Sequence, residues 1–486
     1  MNRRSFLKSI AAGAVTLAAP GCLARAAPAR TRPNVVLVLV DDLGWTDSST
    51  YGSKYYETPN LDRLAAGGMT FTNGYAACAV CSPTRAAVMT GRWPARLGVT
   101  DWIRARFQGG KIPADKQPPS GYVGGRGHQL LCPKNALWLN LSEMTIAEAL
   151  KPAGYVSCHI GKWHLGPDDW YPEKQGFDYN IGGCDYGQPP SYFDPYKNPR
   201  QGQIPTIKPR QEGEYLTDRE GDEAAAFITK HADRPFFLYM AHYAVHTPIQ
   251  ARKDLAEKYE AKEATERHKN AKYAAMIESV DSALGRIMKT LQETGTADRT
   301  LVIFTSDNGG LVPVTRNTPL RSGKGFPYEG GIREPLVVRW PGVVRPGTRC
   351  DVPVTSVDYF PTICEATGAT LPTDRTIDGE SILPLLAGTG DLKRDAIYWH
   401  FPHYRGGVHP YSIIRKGDFK LIKRYEGPTW ELFNLKDDLS ETSDLAARMQ
   451  EKVKALDAQL MAHLKAVGAR MPVPNPAYTP KGRKGR

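Results

Sequence analysis

The sequence predicts a layered α/β fold, and three observations carry that prediction. Two unbroken apolar runs occur, Asn34 to Val40 and Leu301 to Ser306, and between them apolar residues recur at helical spacing from Met276 to Leu291. An apolar run without alternation is a strand buried on both faces, as strands covered by helices on each side are. Both runs stop at polar groups, Asp41-Asp42 after the first and Asp307-Asn308-Gly309-Gly310 after the second. If the two strands are parallel, these groups share the carboxyl edge of one sheet, where open α/β folds bind ligands.

The other elements follow in chain order. Pro83 suits the first turn of a helix and Gly91 its end, which gives a helix of roughly two turns beginning near Cys81. The segment Asp101 to Asn140 is rich in Gly, Pro and basic residues without a period, and is read as a pocket-edge insertion. Thr145 and Glu148 form a capping box before Ile146 to Lys151, closed by Pro152 and Gly154. The helix spanning Met276 to Leu291 has Gly295 as its stop. From Ala396 the texture changes to short aromatic strands, Ile397 to Phe401, Tyr411 to Arg415, Phe419 to Arg424 and Trp430 to Leu435, which suit a small antiparallel sheet. Leu439 to Val467 then reads as a helix, followed by a basic, Pro-rich tail.

Length and charge bound the rest. A chain of 486 residues is long enough for one large core and a smaller domain, since single cores stop growing near ~250 to 300 residues. The N-terminus reads Arg3-Arg4-Ser5-Phe6-Leu7-Lys8, then a weakly apolar run to Ala19 and Ala24-Arg25-Ala26, the pattern of a twin-arginine export signal ending near residue 26. That run is shorter than the ~20 residues that cross a bilayer, so no transmembrane segment is expected. Cys22 offers a lipoprotein anchor as the second reading, but Ala19-Pro20-Gly21 before it lacks the usual aliphatic residue. The net charge is +12, of which four basic residues lie before residue 27 and four in Lys481 to Arg486, leaving +4 for the body and little support for a nucleic-acid partner. Cys78, Cys132, Cys158, Cys184, Cys350 and Cys364 have no pairing that spacing reveals.

The residues that narrow the chemistry furthest are Cys81-Ser82-Pro83-Thr84-Arg85, followed by Ala86-Ala87-Val88-Met89-Thr90-Gly91-Arg92. Cys81 would sit at a helix N-terminus, where free amides and the dipole favour an anion, and Arg85 one turn on would share its face. This run resembles the signature of the type I, formylglycine-dependent sulfatases of the alkaline phosphatase superfamily, and the resemblance extends from about residue 33 to about 470. It implies an alkaline phosphatase-like fold: a large central mixed β-sheet flanked by helices over residues 33–395, a smaller C-terminal antiparallel sheet plus helix over 396–470, and a tail over 471–486.

It also implies a site. Cys81 would be oxidised by a formylglycine-generating enzyme to an aldehyde whose hydrate is the nucleophile. Asp41, Asp42, Asp307 and Asn308, with position 81, would hold a metal, and oxygen donors suit Ca²⁺. Superfamily phosphatases and phosphonate hydrolases tend to carry Asp-His where this chain has Asp307-Asn308, so Asn308 points to calcium and sulfate esters. Gly161-Lys162-Trp163-His164-Leu165-Gly166 is similar to the second family signature. Lys162 would face a sulfate oxygen, and His164 would hold or deprotonate the hydrate. His246 falls where the family carries a His beside the leaving oxygen, Lys324 matches its sulfate-binding Lys, and Ser191 matches a sulfate hydrogen-bonding position approximately.

In the mechanism that the resemblance implies, one hydroxyl of the hydrate attacks sulfur, His246 or Lys324 protonates the departing alcohol, and the second hydroxyl expels sulfate. The expected substrate is a sulfated carbohydrate or other sulfate ester, taken in exo fashion. Trp399, His400, Phe401, His403, Tyr404 and Tyr411 form an aromatic, histidine-rich cluster expected either to line the sugar pocket, with His400 and His403 as substrate contacts, or to pack a domain seam. Two alternatives remain: a phosphonate or phosphodiester hydrolase, and an inert glycan-binding protein on the same scaffold.

Overall fold

The computed structural model describes residues 32–427 and 429–479. The twin-arginine segment, Cys22 and the basic cluster Lys481 to Arg486 lie outside the described residues. Nine strands form the main sheet: β1 (Asn34–Val40), β2 (Met69–Tyr75), β3 (Val156–Gly161), β4 (Tyr179–Ile181), β5 (Phe236–Ala241), β6 (Thr300–Ser306), β7 (Arg333–Arg339), β8 (Thr348–Cys350) and β9 (Val354–Thr355). Across the sheet they run β8-β2-β7-β6-β1-β5-β3-β4, with β9 also pairing β2.

β1 is parallel to β6 and β5, and β5 is parallel to β3, whereas β7 runs antiparallel to β6 and β2. The register sets Val40 opposite Ser306, Leu39 opposite Ala241 and Gly161 opposite Ala241. The residues that follow, Asp41, Asp307, Lys162 and His242, therefore leave one edge at nearly one level.

The unbroken apolar run of β1 has a direct cause. Val36, Val38 and Val40 pack on one side with Met276, Val280 and Leu284 of the helix Ala271–Glu293. Val35, Leu37 and Leu39 pack on the other with Ala86, Val88 and Met89 of the helix Cys81–Thr90, here called α1. Since alternate side chains enter two separate cores, each position is apolar. The long helix starts five residues before the first apolar position of the pattern because Asn270 caps it, its side chain accepting from Tyr273 N. The capping box of Thr145 and Glu148 is present.

The C-terminal sheet is a meander of β10 (Ala396–Phe401), β11 (Tyr411–Lys416), β12 (Phe419–Arg424) and β13 (Thr429–Asn434). Ile414, Leu421 and Leu432 face Leu456, Leu460 and Leu464 of the final helix, while Ile413, Ile422 and Phe433 face Tyr75, Ala87 and Tyr328 of the larger part.

One expectation needs correction. The final helix spans Gln450–Ala466 rather than starting at Leu439. The Asp438 carboxylate accepts from Thr442 N at 2.9 Å and Ser443 N at 2.8 Å, and Asp444 accepts from Leu432 N at 2.9 Å, so local side-chain turns displace the helix there. In the tail, Val473 and Pro474 pair with Leu131 and Leu130. Cys78, Cys81, Cys132, Cys158, Cys184, Cys350 and Cys364 are all free thiols. Among the described residues no helix is long and apolar enough to cross a membrane.

Candidate active site

The site is built on the shared carboxyl edge. Cys81 opens α1, all ten of whose residues are buried, and Gly91 closes it in the left-handed region at φ 67°. Ser82 ties the helix start to two neighbouring segments, its Oγ donating to the His164 carbonyl at 3.0 Å and accepting from Ile103 N at 2.9 Å. One turn on, Arg85 Nε donates to Asp307 Oδ2 at 2.8 Å and Nη1 to the Lys162 carbonyl at 2.8 Å.

Three buried carboxylates meet three buried cations. Lys162 Nζ lies 2.6 Å from Asp41 Oδ2, Lys324 Nζ 2.6 Å from Asp42 Oδ1, and Arg85 Nη2 2.8 Å from Asp307 Oδ2. Isolated, any of these charges would be costly to bury; matched one to one they are tolerated. Burial pushes the Asp41 and Asp307 carboxyls up to about 6 against the pull of Lys162 and Arg85. At Asp42 burial also raises the carboxyl, but Lys324 and then His246 outweigh it and hold the group below the usual range.

The histidines have assignable tautomers. His164 Nε2 lies 2.7 Å from the Ile103 carbonyl, which can only accept, so Nε2 carries the proton and Nδ1 presents a lone pair to Cys81 Sγ at 3.3 Å. Burial, with Lys162 adding to it, holds His164 well below its ordinary value, so the ring is neutral. His246 Nδ1 faces the Thr247 carbonyl at 2.9 Å, leaving Nε2 as an acceptor 3.6 Å from Asp42 Oδ2. Burial and Lys324 lower His246 to about 3 despite Asp42. Asp42 and His164 sit at φ 61° and 58°, where non-glycine residues are strained, a feature that concentrates at functional sites.

Asp41, Asp42, Cys81, Arg85, Lys162, His164, His246, Asp307, Asn308 and Lys324 are thus brought into one cluster. Three sequence-derived candidates are not. Ser191 Oγ accepts from Phe193 N at 3.0 Å and turns back on its own loop. His400 is buried, its Nδ1 2.7 Å from Ser412 Oγ and its Nε2 3.1 Å from the Arg470 carbonyl, so both ring nitrogens are consumed within the C-terminal part. His403 is buried with Nε2 2.8 Å from Thr100 Oγ1, a seam contact. Trp399 Nε1 donates to the Ala76 carbonyl at 2.7 Å, so this cluster packs the seam in the main. The Ile103 carbonyl, which fixes the His164 tautomer, was not foreseeable, because a backbone acceptor leaves no residue-type signal.

The donors suit a hard cation. Asp41 Oδ1 and Asn308 Oδ1 are buried without a hydrogen-bond partner, and an orphaned oxygen of this kind is what a cation would satisfy. Asn308 Nδ2 donates to Asp42 Oδ1 at 2.8 Å, which turns its own oxygen away from that carboxylate. His246 can also join Asp41 and Asp42, with ligand atoms of all three within 4.8 Å of one another.

The family model described as sulfatase matches residues 33–369, more than half of the chain. The chain belongs to the sulfatase family. A second model, described as N-sulphoglucosamine sulphohydrolase, C-terminal, matches residues 322–469 of the sulfatase. A sulfatase of Formosa agariphila is 34% identical, covering 88% of this chain and 89% of that one. Human N-acetylgalactosamine-6-sulfatase is 33% identical, covering 90% of this chain and 86% of its own. The crystal structure of Ps i-CgsB in complex with k-i-k-neocarrahexaose superposes with a TM-score of 0.76 at 28% identity, covering 94% of this chain and 96% of that one. The protein is accordingly a type I sulfatase of the alkaline phosphatase superfamily, a sulfuric ester hydrolase with carbohydrate sulfatases among its relatives.

Proposed function

We propose that this sulfatase removes sulfate from sulfated carbohydrates in exo fashion, with residue 81 as the nucleophile position. The observation that carries the reading is the meeting of Cys81, at a helix N-terminus, with the His164 lone pair 3.3 Å away inside a ring of three cations and three carboxylates. The names of the relatives, N-acetylgalactosamine-6-sulfatase and a neocarrahexaose complex, support a sugar substrate.

Formylglycine, made from Cys81 by a formylglycine-generating enzyme, supplies a geminal diol, one hydroxyl for attack on sulfur and one for release of sulfate. Asp41, Asp42, Asp307 and Asn308, with position 81, would hold Ca²⁺, which withdraws charge from the sulfate oxygens. The remaining work belongs to side chains. Lys162 and Lys324 bring ammonium groups to the sulfate, electrostatic stabilisation in a buried setting where it counts most. His164 Nδ1 accepts the proton from residue 81, since Nε2 is committed to Ile103. Arg85 holds Asp307 and the Lys162 backbone in place. Because neutral His246 has its proton on Nδ1, Lys324 is the group able to protonate the departing alcohol, and His246 Nε2 receives or coordinates.

The leader up to residue 26 would export the chain by the twin-arginine route, cleavage standing ahead of a lipid anchor at Cys22.

The test compares sulfate release from 6-sulfated hexosamine with hydrolysis of a phosphonate monoester by the matured enzyme. Sulfated sugar as the better substrate is expected. Preference for the phosphonate would overturn the reading, and inactivity on both with retained sugar binding would favour the inert glycan-binding alternative.

A further inference from the structure

The catalytic ring balances its charges, three cations against three carboxylates, yet a fourth cation stands beside it. Arg405 lies in the loop joining β10 to β11, where its backbone is fixed by two bonds with Val408, N to O at 3.0 Å and O to N at 2.7 Å. Two contacts hold that loop against the insertion and the residue before it: His403 Nε2 to Thr100 Oγ1 at 2.8 Å, and Leu130 N donating to Tyr404 Oη at 3.1 Å.

The guanidinium reaches over Gly325, the neighbour of Lys324. A methyl group on Gly325 would lie 3.1 Å from Arg405 Nη1. Gly325 N in turn donates to the Ala79 carbonyl at 2.8 Å, two residues before Cys81. Arg405 is thus packed against the segment that carries one of the sulfate-facing lysines, and it is half-buried.

Arg85, Arg333 and Arg394 are paired with Asp307, Glu329 and Asp358. The Arg405 guanidinium has no hydrogen-bond or ion-pair partner among the described residues. Asp101 is the carboxylate that feels it most, and burial, partly offset by Arg405, still pushes Asp101 up to about 6. The two form no ion pair, and the Asp101 Oδ1 accepts from Trp102 N at 2.9 Å. A half-exposed guanidinium without a protein partner beside a cationic ring is free to take an anion from a ligand, and its planar fork suits a carboxylate or sulfate bidentately.

We propose that Arg405 is a specificity-determining residue that binds a second anionic group of the substrate, a carboxylate or a further sulfate, on the sugar whose sulfate ester is cleaved. This rests on the sulfatase reading above and names the substrate class more closely: a sugar unit carrying two anions rather than one.

The test uses matured full-length enzyme and the variants Arg405→Ala and Arg405→Lys. Three esters are compared: 4-nitrophenyl sulfate with one anion, a disulfated hexosamine, and a uronate monosaccharide bearing one sulfate ester. For Arg405→Ala, kcat/KM on at least one doubly anionic ester should fall about 10- to 100-fold, the worth of a charge-assisted hydrogen bond. The loss should reside mainly in KM, with about 3-fold or less on 4-nitrophenyl sulfate. Arg405→Lys should recover part of it, keeping the charge and losing the fork. Whichever ester suffers identifies carboxylate or sulfate as the second anion. Equal losses on all three esters, or none on either doubly anionic ester, would overturn the assignment while leaving the sulfatase reading intact. Absence of sulfate release by the unmutated enzyme from all three would instead overturn both.

Discussion

Cys81 Sγ and His164 Nδ1 face each other at 3.3 Å, and the far side of the imidazole is pinned to the Ile103 carbonyl at 2.7 Å. The pinning decides which nitrogen can take a proton. His164→Ala leaves residue 81 without that acceptor, and kcat should fall about 10²- to 10⁴-fold, the usual worth of a positioned general base. Steady-state sulfate release checks this; a decrease smaller than about 10-fold would show that the proton leaves by another route.

Calcium should stabilise the fold as well as the reaction. The unpartnered Asp41 and Asn308 oxygens and the adjoining carboxylates gain a common counter-ion. Chelator-treated protein given calcium at 100 times its Kd should gain about 2.7 kcal/mol by mass action. Scanning calorimetry would show this as a higher Tm, with activity returning in parallel. Identical melting with and without calcium would contradict the assignment of the oxygen donors.

The C-terminal sheet is locked to the large part by a buried charge cluster. Lys420 Nζ, on β12, lies 3.0 Å from Glu329 and 2.8 Å from Glu441, all three fully buried. Lys420→Met would leave the Glu441 carboxyl without a cation while Glu329 keeps Arg333 at 2.8 Å, a loss of about 3–5 kcal/mol for breaking a buried pair. Urea unfolding should report it, whereas a change under about 1 kcal/mol would mean that the site relaxes and admits water.

Acid should weaken the C-terminal part. Burial holds His400 down at about 4, against the opposing bond to the Arg470 carbonyl, while an unfolded histidine titrates near 6.5. The unfolded chain therefore binds more protons in that window, and stability falls as pH drops from about 6.5 toward 4. His400 alone accounts for about 2 kcal/mol between pH 7 and pH 5. In His400→Gln that pH difference should shrink by the same amount, measured by urea unfolding at both values; an unchanged slope would show that His400 is not the group responsible.

How much of this was legible depends on what each residue signals. β1 and β6 were readable because both faces are buried, so Val35 to Val40 and Leu301 to Phe304 are apolar throughout, and the Asp41 and Asp307 that follow the strands marked the edge. The run from Cys81 to Arg92 and the Lys162-Trp163-His164 segment were readable through family resemblance. The final helix was read too long because apolar spacing from Leu439 onward cannot reveal that Asp438 and Asp444 bind backbone amides. Val473 and Pro474 escaped because a two-residue pairing has no period. His400 and His403 looked like pocket residues from type alone; burial and partners are tertiary facts.

The most direct measurement relates sulfate release to the mass of the peptide across Cys81 in protein co-expressed with a formylglycine-generating enzyme. Samples with graded maturation should show a rate proportional to the fraction of peptide lighter by about 18 Da, the difference between thiol and aldehyde, and Cys81→Ser should release none. Sulfate release that is independent of that fraction, or that persists in Cys81→Ser, would contradict the nucleophile assignment and the mechanism built on it.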